Sequence, residues 1–208
     1  VLPGIFESNP YPRGVNGSLW TIPLEVRCYV VMALAGLLGL MRYRGVWMLL
    51  IAAYLVWFMT KGNADVTGKV NYGRELSAYF FAGSALYLLQ PRWERQPAAW
   101  LSIASASAIA LWTGGWHHSA LLVLLPLLVL YIGTRSTAVV RRFGRWGDPS
   151  YGIYLIAYPA QQTVIQFLWP ELGFSGTLVL ATAITVTLAY ASWHGVEKIA
   201  MRLKPRRQ

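Results

Sequence analysis

Charge is scarce in this sequence. Of its 208 residues 12% are charged and only eight are acidic, where a soluble domain carries about a quarter charged residues. The single cysteine, Cys28, excludes an intramolecular disulfide and a cysteine-based zinc site. Three histidines, His117, His118 and His194, form no metal-ligand spacing with other residues. There is no glycine loop of the kind that cradles phosphate, and no Gly-x-Ser-x-Gly nucleophile elbow. Internal repeats and low-complexity tracts are missing as well. The first residue is Val1, and no signal peptide precedes the first apolar run, so a chain shortened at its front is expected.

What fills the space is apolar. Hydrophobic residues make up 56% and aromatics 14%, and the mean hydropathy is +0.43. Seven apolar runs cover about 19–41, 45–60, 76–90, 98–116, 118–133, 150–169 and 175–196. Gly, Pro, Asn and charge break them, as in KGNADVTGKVNYGRE, TGGWHH and PELGFSG. The expected fold is therefore all-α: a polytopic membrane helix bundle of about seven spans, one domain over 1–208. The runs 76–90 and 118–133 are shorter than the ~20 residues an upright span needs and must borrow flanking residues or sit in a thinned bilayer.

The net charge of +10 sorts by topology. With the N-terminus outside, thirteen Lys and Arg fall in inside segments and four, Arg13, Lys61, Lys69 and Arg74, fall outside. That positive-inside bias leaves 1–18 as an outer loop and 198–208 as a basic cytoplasmic tail suited to anionic lipid. It also argues against nucleic acid as a partner. Trp47, Trp57, Trp100, Trp112, Trp116 and Trp169 lie near run ends, where indoles settle at the headgroup level.

Three stretches do not suit lipid alone. In NGSLWTIPLEVRCYV, Pro23 fits a first helical turn and Glu25 follows near its third position, where the helix dipole favours negative charge. Glu25 and Arg27 are two residues apart, roughly 200° around a helix, so they cannot neutralise each other. Each must face protein, water or ligand, though Arg27 can also snorkel. In GDPSYGIYLIAYPAQQ, Asp148 before Pro149 reads as an N-cap. Beyond it Tyr151, Tyr154, Tyr158, Gln161 and Gln162 share about 100° of arc, a polar stripe that serves either as interhelical glue or as a cavity lining. Pro159 would kink this helix and free a carbonyl. In ASWHGVEK, His194 and Glu197 are three apart and could share a proton, or simply end a wet helix. His117 and His118 are weak candidates for metal or catalysis. SIASASAIA is rich in small residues, as a close helix interface requires.

In this order the stretches resemble the membrane acyltransferase-3 family of bacterial sugar O-acyltransferases. NGSLWTIPLEV resembles its Asn-x-Ser-Leu-Trp-Ser/Thr-Leu-Pro-x-Glu motif. YFFAGSALYLL is similar to its middle helix, FGRWGDPSYGIYLIAYPAQQ to its Gly-x-x-Ser-Tyr-x-x-Tyr-Leu segment, and WHGVEKIAMRLK to its closing element. Two departures stand out: Ala157 and Tyr158 occupy the region where many members carry His before Pro, and Ile199 replaces a proline.

The resemblance implies a transferase that moves an acyl group, usually acetyl, from acyl-CoA to a carbohydrate hydroxyl. No cofactor is held; acyl-CoA is the donor substrate, and membrane lipid and carbohydrate are partners. It implies a bacterial inner-membrane location and about ten spans, with the family's key histidine and arginines in opening spans that this sequence does not contain. Glu25 becomes the candidate catalytic carboxylate. Asn16, Ser18 and Trp20 would order the acceptor, while Ser150, Tyr151, Tyr154, Gln161, Trp193 and Glu197 would line the substrate path. The competing readings are a transporter of a small anion or acylated sugar, which also favours midplane glutamines and a broken helix, and an inactive fragment.

Overall fold

The computed structural model describes residues 4–135 and 147–202. Among the described residues every regular element is helical. In chain order they are α1 (Ile22–Leu37), α2 (Arg44–Trp57), α3 (Ala64–Thr67), α4 (Tyr72–Leu88), α5 (Gln90–Trp93), α6 (Pro97–Thr113), α7 (His117–Thr134), α8 (Ser150–Ser192) and α9 (Lys198–Arg202). The seven apolar runs reappear as α1, α2, α4, α6, α7 and two halves of α8. Gly17–Leu37, Arg44–Thr67, His117–Thr134 and Ser150–Arg202 are long and apolar enough to cross a membrane, and Pro97–Thr113 is a shorter apolar helix. The two short runs become α4, 17 residues from Tyr72, and α7, 18 residues from His117, and of these α7 is among the four candidate spans. Large apolar side chains such as Leu37, Ile103, Phe167 and Val179 face outward, as a lipid-facing surface demands. The chain is a polytopic membrane helix bundle. Its contacts define two compact units, Ile22–Ser136 and Val1–Thr21 with Thr137–Gln208.

In the unit 22–135 three apolar clusters hold α1, α2, α4, α6 and α7 together. Ala35, Trp47 and Ile51 form one, Phe58, Ala78, Ala82 and Leu122 a second, and Trp93, Ala104 and Leu127 a third. Small residues in α4 and α6 let neighbouring helices close in, which bears out the reading of SIASASAIA. Trp47 departs from the sequence expectation. It is only 6% exposed and packs edge-on against Phe81 in the core, because α1 contributes Ala35 opposite it and leaves room for an indole. Trp57, Trp112, Trp116 and Trp169 stay exposed.

The other unit is built on α8, whose length conceals a reversal. Gly173 has φ 58 and ψ −167, outside any helix, a conformation glycine reaches without steric cost. The helix turns back there, within the expected break PELGFSG. At the open end of this hairpin Gly152 meets Ala189 so closely that a Cβ on Gly152 would lie 2.9 Å from the Ala189 Cα. Asp148 sits one position outside the cap itself. Its carboxylate accepts from the amide (3.1 Å) and the hydroxyl of Ser150, which hold the carboxyl below its ordinary range. That contact is complete at neutral pH and is lost as pH falls through the lowered value.

Candidate functional site

Residues 4–21 lie along the first half of α8, and the contact begins with a proline. Pro159 has no N–H, so the Leu155 carbonyl four residues earlier loses its helical donor. Asn16 Nδ2 supplies a replacement at 2.8 Å, while Asn16 Oδ1 accepts from the Ser18 amide at 3.0 Å. The Tyr154 hydroxyl donates to the Ser18 carbonyl and sits 2.6 Å from the Thr21 hydroxyl. Two of the stretches singled out in the sequence are thus joined: Asn16 and Ser18 on one side, Tyr154 and Leu155 on the other.

Further along the helix, Gln162 uses both of its amide donors and its oxygen. Its Nε2 donates to the carbonyls of Tyr11 and Gly14, each at 2.9 Å. Its Oε1 and its own carbonyl both accept from Asn9 Nδ2 at 2.9 Å. Gln162 is 4% exposed, so these bonds are made away from water. Tyr158 lies between, with its ring against the loop. A Cβ on Gly17 would come 2.5 Å from the Tyr158 Cε2, so the glycine of NGS is a packing requirement.

The polar stripe therefore divides. Tyr154, Tyr158 and Gln162 hold the loop, while Gln161 faces a cavity of about 430 Å³ between the two halves of α8. Its walls are mainly apolar, Ile153, Ile165 and Leu178 among them, with Gln161 and Thr177 as polar lining. Thr177 is 4% exposed and, among the described residues, its hydroxyl has no partner. A buried hydroxyl without a partner is costly, and the Thr177 oxygen is itself covered, so Gln161 is the polar side chain this cavity offers.

Trp193 and Glu197 lie at the open end of the hairpin, where α8 gives way to a π-helical turn, Trp193–Glu197. The indole rests on Gly147, where a Cβ would fall 2.0 Å from Trp193 Nε1. Glu197 accepts from the Ser192 hydroxyl at 2.8 Å, and His194 Nδ1 is 3.0 Å from the Tyr190 carbonyl. The π turn changes the register between His194 and Glu197, so each has a partner of its own instead of the other. Ser150 and Tyr151 are exposed at the same end, with Ser150 bound to Asp148. Gly147→Ala is expected to dislodge the indole and cost about 1–3 kcal/mol; unfolding in mixed micelles reads the loss, with unchanged helix content by circular dichroism.

In the unit 22–135, Glu25 stands exposed in the first turn of α1, and Arg27 follows two residues on. Neither forms an ion pair among the described residues. Trp20 lies in the preceding 3-10 turn, half exposed.

Residues 4–194 match the acyltransferase domain family. The chain belongs to the acyltransferase-3 family. It is also 28% identical over 195 residues to the O-acetyl transferase of Shigella phage Sf6, covering 89% of this chain and 56% of that protein. The chain thus spans about half the length of this relative. No solved structure matches it.

As a member of this family the chain carries a polar cluster that its motifs do not announce. Asn63, fully buried, donates to the Ser119 hydroxyl at 2.6 Å and caps α3 through the Val66 amide. Asp65 accepts from the amides of His118 and Ser119 at 3.0 and 2.8 Å, satisfying the first turn of α7. Glu75, 7% exposed, pairs with His118 Nδ1 at 3.2 Å. These residues sit in separate loops and helix starts, so only folding unites them. Their one sequence signal was a run of polar residues before α4. Among the described residues no group of three His, Cys, Asp or Glu is placed to hold a metal ion. Asn63→Ala should destabilise by about 2–3 kcal/mol, since it removes a cap and strands Ser119. Equilibrium unfolding in mixed micelles measures it.

Proposed function

We propose that this protein transfers an acyl group, acetyl in the simplest case, from acyl-CoA to a hydroxyl of an exported or cell-surface carbohydrate. The reading rests on membership of the acyltransferase-3 family and on the name of the phage relative, an O-acetyl transferase. The observation that carries it in this chain is the join between Asn16, Ser18 and Tyr154, on a helix that also turns Gln161 toward a cavity. Family motifs that are far apart in sequence are coupled where a small polar ligand group would find hydrogen-bonding partners.

In the reaction the sugar oxygen attacks the thioester carbonyl carbon, the C–S bond breaks, and the CoA sulfur leaves and takes up a proton. The hydroxyl proton must go to a base. Glu25, exposed and without a cationic partner among the described residues, is assigned to accept it. Gln161 would hold a polar atom of the acyl donor in an otherwise apolar cavity. Asn16, Ser18 and Tyr154 then act as positioning residues, with Trp20 offering an aromatic face to the sugar. Ser150, Tyr151, Trp193 and Glu197 would flank the donor's entry. The excess of inside Lys and Arg supports a cytoplasmic C-terminus in a bacterial inner membrane.

The test is transfer of radiolabelled acetyl from acetyl-CoA to extractable carbohydrate in membranes that contain the protein. Label that accumulates only with the protein present supports the transferase. Sugar or anion uptake that does not depend on acetyl-CoA would overturn it in favour of a transporter.

A further inference from the structure

Arg27 is left unexplained by the acyl-transfer reading, and its surroundings say what it meets. The unit 22–135 holds a cavity of about 350 Å³ between α1, α2 and α4, lined by Arg27, Arg74, Asn71, Ser77 and Tyr54 on its polar side. Among the described residues neither arginine is in an ion pair. Arg74 is held over the Trp57 ring at 5.5 Å, and the Tyr54 and Ser77 hydroxyls are 2.6 Å apart. Those hydroxyls are spent on each other and on the Gly73 and Arg74 carbonyls, so it is the two guanidinium groups, with no carboxylate in the lining, that make a site for an anion.

A second cavity adjoins it. Its volume is about 220 Å³; Val31, Tyr54 and Phe81 line both, and its remaining lining is Trp47, Leu50 and Ile51. A cationic cavity and an apolar one are therefore neighbours, with Val31, Tyr54 and Phe81 as their shared wall. Arg27 lies five residues into α1, roughly 8 Å along the helix from its start, at the depth where a headgroup meets acyl chains. An unpaired guanidinium inside a span is costly, and an anionic headgroup relieves that cost while its tail fills the apolar chamber.

We propose that Arg27 and Arg74 bind the phosphate of a membrane lipid whose hydrocarbon chain lies in the groove lined by Val31, Ile51 and Phe81. A small anion would leave the apolar chamber without a role, and an uncharged lipid would leave both arginines without one.

Phosphatidylglycerol added to the protein in maltoside micelles, with bound lipid counted by native mass spectrometry, tests this. One retained lipid is expected. The double variant R27Q/R74Q should weaken retention by about tenfold or more, whereas R42Q/R44Q, of equal charge change on a different segment, should leave it unaltered. Val31→Trp, which fills the groove and spares both arginines, should weaken retention as well. Diacylglycerol with the same chains should bind at least about tenfold more weakly, and inorganic phosphate should not displace the lipid at equal concentration. Equal loss in the two arginine pairs would overturn the site as a specific one. Unchanged retention in R27Q/R74Q would give the arginines to another occupant, such as an acidic protein segment. Equal binding of diacylglycerol would reduce it to a greasy groove, and displacement by phosphate would make it a small-anion site.

Discussion

Replacing Glu25 with glutamine is expected to lower acetyl transfer by on the order of 10²-fold or more, with the protein still folded and inserted. The substitution keeps shape and hydrogen-bonding reach but removes the ability to take up a proton. Glu25 is exposed in the first turn of α1 and makes no ion pair among the described residues. Its structural contribution is thus confined to the helix dipole, worth about 0.3–1 kcal/mol. A residue that serves only the dipole would leave the turnover number within about threefold of the parent. A base that takes the sugar proton would lose kcat with little change in KM for acetyl-CoA, and aspartate at this position would restore part of the rate. Radiolabel transfer across a range of acetyl-CoA concentrations separates these outcomes. A variant with near-parental kcat would remove Glu25 from the chemistry.

The second large effect concerns Gln162. Gln162→Ala removes both amide donors from the Tyr11 and Gly14 carbonyls and one acceptor from Asn9, all in a nearly dry setting. Stranding buried polar groups costs about 1–3 kcal/mol each, and partial hydration returns some of it, so a net loss of about 3–4 kcal/mol is expected. The loop it holds is demanding. Phe6 and Arg13 both have positive φ, 53 and 60, conformations that non-glycine residues adopt only when contacts impose them. Without the clasp the loop should open, and trypsin should cut after Arg13 faster by on the order of 10²-fold. Gln166→Ala is the control. Among the described residues the Gln166 side chain makes one hydrogen bond, accepting from the Ser8 hydroxyl at 3.1 Å near the surface, and its loss should cost below about 1 kcal/mol. Equal protease sensitivity in the two variants would mean that Gln162 does not secure the loop.

Some of the site could be read from spacing. Pro159 announced a free carbonyl, because the missing N–H is a property of the residue itself. Asn16 was legible as part of a motif, but that its amide caps the Leu155 carbonyl was not. A hydrogen bond across 139 positions has no local signature. Gln161 and Gln162 looked alike as neighbours on one stripe, yet one lines a cavity and the other fastens a loop. Periodicity gives a residue's angle on its helix, and the angle does not say which neighbour arrives there. The cluster of Asn63, Asp65, Glu75, His118 and Ser119 escaped for the same reason.

The sequence alone determined the class of fold and the number of apolar runs. A low charge content and long uncharged stretches admit few structures other than membrane helices, since every backbone polar group in lipid must be satisfied within its own segment. It also supplied the family motifs, whose residue types and order are visible without coordinates. The tertiary structure decided which polar residues are spent on the protein and which are not. Tyr154, Gln162 and Asn16 are spent; among the described residues the Thr177 hydroxyl has no hydrogen-bond partner and Arg27 and Arg74 have no carboxylate partner. That distinction depends on donors and acceptors meeting within about 3 Å, a condition set by how helices and loops pack and carried by no single stretch of chain.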